Sequence, residues 1–192
     1  IPRPETEELV EWIIESQKSK VQSQKLEILD IGTGTGCIPI SLKTNLLQAN
    51  VSAIDVSEKA LEVAKRNAQS NKVEVNFIQT NILEVEDLNQ HFDIIVSNPP
   101  YVRNLEKQEI KKNVLDYEPH LALFVEDTDA LLFYRKIAQL ALENLSPNGL
   151  LFFEINQYLG KETVELLENL GFKNIELKKD IYGNNRMIRC SI

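Results

Sequence analysis

Asn98, Pro99, Pro100 and Tyr101 place one amide side chain, two rigid backbone positions and one aromatic ring directly after the apolar run FDIIVS at 92–97. Adjacent prolines remove two N–H donors and fix φ twice, so the chain cannot continue there as a central strand. The residue types suit one particular task. A planar –NH2, on an amide or an exocyclic amine, is a weak nucleophile because its lone pair is delocalised. The Asn98 side-chain oxygen and a prolyl carbonyl can accept its two hydrogens and turn the lone pair outward. The prolines hold the carbonyl direction in advance, and positioning of this kind supplies much of a barrier reduction. Tyr101 can stack on the flat group and present its face to a neighbouring cation. The four residues read as a clamp for an –NH2 about to be alkylated.

An alkyl donor needs its own site, and LDIGTGTGC at 29–37 provides one. Gly32, Gly34 and Gly36 let the backbone turn tightly and approach a ligand, with Thr33 and Thr35 between them. A dinucleotide fingerprint would require glycine at position 37, where this chain has Cys37. The GxGxG spacing suits S-adenosylmethionine, which has no pyrophosphate. Asp55 closes the next strand candidate, where a carboxylate can accept hydrogen bonds from both ribose hydroxyls. Asn81 and Ile82 follow the third strand candidate at the same sheet edge, a polar and an aliphatic side chain suited to flank an adenine ring.

These residues need a scaffold that brings strand ends together. Strand-like runs at 26–31, 51–55, 74–79, 92–97 and 150–155 alternate with helical periodicity, as in Leu61, Ala64 and Ala68 or Phe133, Ile137, Leu140 and Ala141. Pro147 and Gly149 mark a loop that feeds the fifth strand. The pattern predicts a doubly wound α/β sheet, with ligands at the carboxyl ends of its strands. KNIELKK and RMIRCSI close the chain as antiparallel neighbours, because their connection is short. RPETEELVEWIIES near the start reads as a helix with Pro4 in its first turn and acidic residues at its positive end.

Composition narrows the function classes. The 192 residues carry 21 Lys+Arg against 29 Asp+Glu, a net charge of −8, which disfavours an extended nucleic-acid track. Hydrophobic residues make up 43%, ordinary for a globular chain, and no run of about 18 apolar residues marks a membrane span. A cytoplasmic protein without stable nucleic-acid or membrane binding is expected. Cys37 and Cys190 lack CxxC spacing, and His91 and His120 stand apart, so neither a disulfide framework nor a metal site is expected.

IPRPETEE, LDIGTGTG, SNPPY, YEPHLAL and FYRKIAQ with LSPNGLLFFEI resemble, in this order, the release factor glutamine methyltransferases. The resemblance runs from Ile1 to the closing GNNRMI. It implies a seven-stranded class I methyltransferase sheet with an antiparallel last strand, and N5-methylation of the glutamine in the GGQ motif of peptide chain release factors. It implies cofactor contacts at Gly32 to Gly36, Asp55, Asn81, Ile82 and Asn98, and a glutamine clamp at Asn98, Pro99, Pro100 and Tyr101. It also implies one catalytic domain over 1–192, the family's N-terminal helical domain being absent from this chain. A monomer is expected. The chain departs from many relatives at Asn81–Ile82, where they carry an acidic residue and an aromatic. It departs again at Ile155–Asn156, where they place glycine after the glutamate.

Arg3, Thr6 and Glu7 are candidates to reach the cofactor or substrate, as are Glu118 and Pro119 for shaping the target pocket. The charged stretch 103–116 reads as a mobile, substrate-facing lid. Trp12 reads as packing and Cys37 as a small helix-start residue. The alternative enzyme is an N6-adenine or N4-cytosine methyltransferase acting on DNA or RNA, using the same clamp on a flipped base. A non-catalytic cofactor-binding scaffold is a third reading, disfavoured by an intact clamp beside an intact glycine loop.

Overall fold

The structure is a computed structural model, and it describes residues 3–17, 25–100, 102–103, 124–125 and 129–192. Helix α1 (Pro4–Gln17) opens it, with proline at its first position and the N–H groups of Thr6 and Glu7 returning to the Arg3 carbonyl. Then follow β1 (Glu27–Ile31), α2 (Cys37–Asn45), β2 (Asn50–Asp55), α3 (Glu58–Ser70) and β3 (Asn76–Gln79). A 3-10 turn at Ile82–Glu84 leads to β4 (Phe92–Ser97) and to two-residue strands β5 (Val102–Arg103) and β6 (Phe124–Val125). The chain closes with α4 (Leu132–Asn144), β7 (Leu145–Glu154), α5 (Gly160–Leu170), β8 (Lys173–Lys179) and β9 (Asn185–Ser191).

Seven strands form one sheet in the order β3-β2-β1-β4-β7-β9-β8, and β5 pairs with β6 apart from it. Pairings among β1, β2, β3, β4 and β7 are parallel, whereas β9 runs antiparallel to both β7 and β8. The expected doubly wound sheet with a reversed last strand is present, and the reversed strand lies inside the sheet. One expectation is corrected. Pro147 to Gly149 lie within β7 as a bulge, not in a loop before it, because the register with β4 jumps between the Phe92–Leu145 and Ile94–Leu150 pairs. A Cβ on Gly149 would lie 2.8 Å from the Ser146 carbonyl oxygen, so the bulge leaves no room for a side chain.

Apolar residues on alternate positions feed two cores, one on each face of the sheet. Leu29, Ile31, Ile95, Phe153 and Ile155 pack with α4 and α5. Ile28, Ile94, Val96 and Phe152 pack with α1 and α2. Trp12 of α1 meets Phe152 edge-on at 5.5 Å, while the charged ends of Lys178 and Arg189 each lie 5.2 Å from its ring centroid. Its packing role is as expected, with a cation–π contribution added. Packing against the sheet fixes α1, whose first turn then lies at the carboxyl ends of the central strands.

Candidate active site

The loop after β1 takes positive φ at each glycine: 76° at Gly32, 55° at Gly34 and 84° at Gly36. Only glycine adopts this backbone cheaply, but the three serve different ends. A Cβ on Gly36 would lie 3.0 Å from the Ala64 Cβ, so this glycine lets α2 start against α3. A Cβ on Gly32 or Gly34 would meet nothing within 4 Å. These two positions therefore border open space at the carboxyl edge of the sheet, a cradle that side chains would fill. The N–H groups of Gly32 and Thr33 bond the Ile54 carbonyl at 2.8 and 3.0 Å, tying the loop to β2. Asn67 of α3 donates to the Thr35 carbonyl at 2.9 Å.

Asp55, at the end of β2, accepts from the Gly34 N–H at 2.7 Å and from the Ser57 N–H at 2.8 Å, one on each oxygen. It is thus a staple across the loop. Each carboxylate oxygen keeps a further acceptor site for a hydroxyl. Val56, which the sequence reading passed over, is 57% exposed beside it, an apolar surface at the same edge. Its apolar type straight after a strand-ending aspartate was the available signal.

Below the loop, Asp30 is fully buried, and neither of its oxygens nor the Thr33 hydroxyl has a hydrogen-bond partner among the described residues. Burial pushes the Asp30 carboxyl up to about 7; the nearby Thr33 hydroxyl opposes this, and the Asp55 charge reinforces it. Asn81 caps the 3-10 turn, its side-chain oxygen accepting from the Leu83 N–H at 3.2 Å and its amide donating to Glu84 at 2.8 Å. Ile82 is buried in the core shared by β1 and β2. Its side chain supports this edge from beneath.

The clamp begins one residue past β4. Ser97 is buried, and its hydroxyl donates to the Ile31 carbonyl at 2.6 Å, pinning the end of β4 to the end of β1. Ser97 pairs with Ile31 on one side and Phe153 on the other. One step further along these registers, Asn98 stands between Gly32 and Glu154. The glycine loop and the start of the clamp are therefore neighbours, as the sequence reading expects. Asn98 and Pro100 are half-buried and Pro99 is buried. Tyr101, Glu118, Pro119 and most of the 103–116 stretch lie outside the described residues.

Glu154, which the sequence reading passed over, ends β7 at the same sheet edge. It closes the apolar strand β7 yet is only 1% exposed, and it accepts a 2.6 Å hydrogen bond from the Thr6 hydroxyl of α1. Burial raises its pKa, while Thr6, Arg186 and Arg3 counteract this in that order, and Glu5 adds to it. A carboxylate ending a buried strand beside the clamp was the available signal. Thr6 and Arg3 thus face Glu154. Glu7 is exposed and lines a groove with Thr6, Thr35 and Cys37. Among the described residues no group of His, Cys, Asp and Glu has metal-binding geometry, and no helix is long and apolar enough to cross a membrane.

Comparison with known proteins decides among the enzymes that this geometry allows. Residues 11–120 match the family described as Methyltransferase small domain. The whole chain is 71% identical to the release factor glutamine methyltransferase of Flavobacterium psychrophilum, over 191 residues and 67% of that protein. The chain belongs to the release factor glutamine methyltransferase family. Identity to the family member of Bacteroides thetaiotaomicron is 46% over 192 residues, all of this chain and again 67% of the relative. The fold is shared more widely. A methyltransferase structure from Pyrococcus furiosus superposes with a TM-score of 0.65 at 20% identity, covering 95% of this chain and 82% of that one. For a family member, the residues at the sheet edge fit S-adenosylmethionine. The cradle at Gly32 and Gly34 is open, the Asp55 carboxylate offers acceptors for hydroxyls, and Val56 offers an apolar surface.

Proposed function

We propose that this chain methylates the side-chain nitrogen of the glutamine in the GGQ motif of peptide chain release factors, with S-adenosylmethionine as donor. One observation carries the reading: 71% identity along the whole chain to a relative named for release factor glutamine methylation. The register that sets Asn98 beside Gly32 supports it, because donor and acceptor sites must be adjacent for in-line transfer.

Bound at the glycine loop, S-adenosylmethionine supplies an electrophilic methyl group on a sulfonium. The Gly32–Gly36 loop receives it closely because two of its glycines leave open space. Asp55 accepts from the ribose hydroxyls while its bonds to Gly34 and Ser57 hold the carboxylate in place. Asn98 accepts one hydrogen of the glutamine –NH2, and the Pro99 carbonyl accepts the other. Both orient the nitrogen lone pair, Pro100 keeps the bend rigid, and Tyr101 is the aromatic ring that the sequence offers for the amide plane. With that donor bound, the nitrogen would take the methyl group as the sulfonium S–CH3 bond breaks to leave a neutral thioether, and its surplus proton would pass to solvent water. Arg3, Thr6 and Glu7 border the entry of the protein substrate, and Glu118 and Pro119 are assigned to the target pocket from the sequence alone. The enzyme acts in the cytoplasm as a monomer, with residues 1–192 as one catalytic domain.

Mapping a purified release factor by mass spectrometry, after incubation with the enzyme and S-adenosylmethionine, tests this directly. Methylation confined to the GGQ glutamine is the expected result. A release factor left unmodified by folded, cofactor-binding enzyme overturns the reading.

A further inference from the structure

Asn98 faces a problem of orientation that its own side chain does not solve. An amide presents an oxygen and a nitrogen of nearly equal shape, and only the oxygen can accept a hydrogen from an acceptor –NH2. Rotation by half a turn would point a donor at a donor. Something beside Asn98 must favour one orientation, and among the described residues its side chain has no hydrogen-bond partner that does so.

The sheet places a suitable group there. Val96 pairs with Phe152 and Ser97 with Phe153, so continuing this register by one residue sets Glu154 laterally opposite Asn98. Strand alternation puts Val96 and Phe152 on the face toward α1, and carries Asn98 and Glu154 to that same face. Glu154 is fixed: it is buried, Thr6 of α1 holds one oxygen at 2.6 Å, and the Tyr134 hydroxyl of α4 donates to its backbone carbonyl at 3.5 Å.

We propose that Glu154 is a positioning residue for methyl transfer, whose buried carboxylate attracts the Asn98 amide nitrogen and so turns the amide oxygen toward the acceptor. The proposal rests on the methylation reading given above. A carboxylate only accepts hydrogen bonds, so it repels the amide oxygen and welcomes the –NH2. Protonation reverses this preference, because a neutral carboxyl can donate to the oxygen. The groups around Glu154 set that balance. Burial favours the neutral form, and Glu5 adds to it; Thr6 and Arg3 from the α1 side and Arg186 from β9 favour the carboxylate. Arg186 is itself held by Asp180 at 3.3 Å and reaches the Ile155 carbonyl at 3.3 Å.

Glu154→Gln keeps the size of the side chain and an acceptor for Thr6, but offers Asn98 a donor. We expect kcat to fall about 100-fold, the scale of a misplaced reacting group, with cofactor affinity and thermal stability unchanged. Thr6→Val should shift the acidic limb of the kcat profile to higher pH, and Thr6→Ser should restore it. A second measurement needs no acceptor. The Asn98 side-chain amide resonance, assigned by its loss in Asn98→Ala, should move with pH above the ordinary carboxylate range and stand still in Glu154→Gln. Wild-type kcat in folded Glu154→Gln, or an Asn98 resonance indifferent to that substitution, overturns the proposal. Failure of the wild-type enzyme to label a release factor bears on the methylation reading alone, since the resonance still reports on the pair.

Discussion

Asn98 and Asp55 are the residues on which the chemistry rests, and they fail differently when removed. Asn98→Ala deletes an oriented acceptor used at the transition state. It should raise the barrier to transfer by about 3–4 kcal/mol, by analogy with oxyanion-hole donors, far more than it weakens the cofactor affinity measured by calorimetry. Asp55→Ala should instead weaken cofactor binding by about 1–3 kcal/mol, the scale of hydrogen bonds to a charged group. It should also lower the melting temperature, because the Gly34 and Ser57 N–H groups lose their shared acceptor. Unchanged calorimetric affinity in folded Asp55→Ala would remove Asp55 from the site. Both residues were legible in the sequence because each is a polar side chain at the carboxyl edge of an apolar strand run. The loop-stapling role of Asp55 was not, since it depends on a contact between separate βα units. Asp30 was passed over for the opposite reason: inside the glycine motif it reads as part of a strand. Its pKa of about 7 makes it a measurable group. Between about pH 4 and 7 the unfolded chain releases this proton and the native state keeps it, so stability falls as pH rises, by an amount on the order of 4 kcal/mol. Denaturant titrations of Asp30→Asn should lack this downward slope relative to wild type. Parallel pH dependences would show that Asp30 ionises as freely in the fold as in the open chain.

At the scale of elements, the glycine loop joins packing and binding in five residues. Gly36→Ala forces a Cβ against Ala64 at 3.0 Å in a left-handed backbone, and should cost about 2–4 kcal/mol of stability. Gly32→Ala meets no neighbour, so its stability cost should be limited to about 1–2 kcal/mol of backbone strain, with cofactor affinity reduced because the methyl group enters the cradle. Thermal melts and calorimetry of the two variants separate these effects. Equal loss of stability in both would contradict the division of labour. Strand and helix positions were legible because apolar alternation and helical periodicity agree with the final packing. The β7 bulge was not, as Pro147 and Gly149 signal a break in regular backbone equally well for a loop and for a bulge. Nor was the Thr6–Glu154 bond, which joins residues 148 positions apart and follows from where α1 docks.

For the whole molecule, an acidic surface and a shared –NH2 clamp point to different substrates. The clamp alone serves an amide or a nucleobase, and the fold neighbours show how widely this sheet is used. A net charge of −8 argues against a phosphate backbone, and identity along the full chain argues for a release factor. The sequence carried the second argument through motifs spread from the first helix to the last strand, which composition could not supply. A competition assay tests this most directly. Equimolar release factor, tRNA, rRNA and DNA are incubated together with enzyme and methyl-labelled S-adenosylmethionine, and label is traced to each. Label should enter the release factor at its GGQ glutamine, vanish when that glutamine is replaced, and need no nucleic acid. Methylated adenine or cytosine with an unlabelled release factor would contradict it.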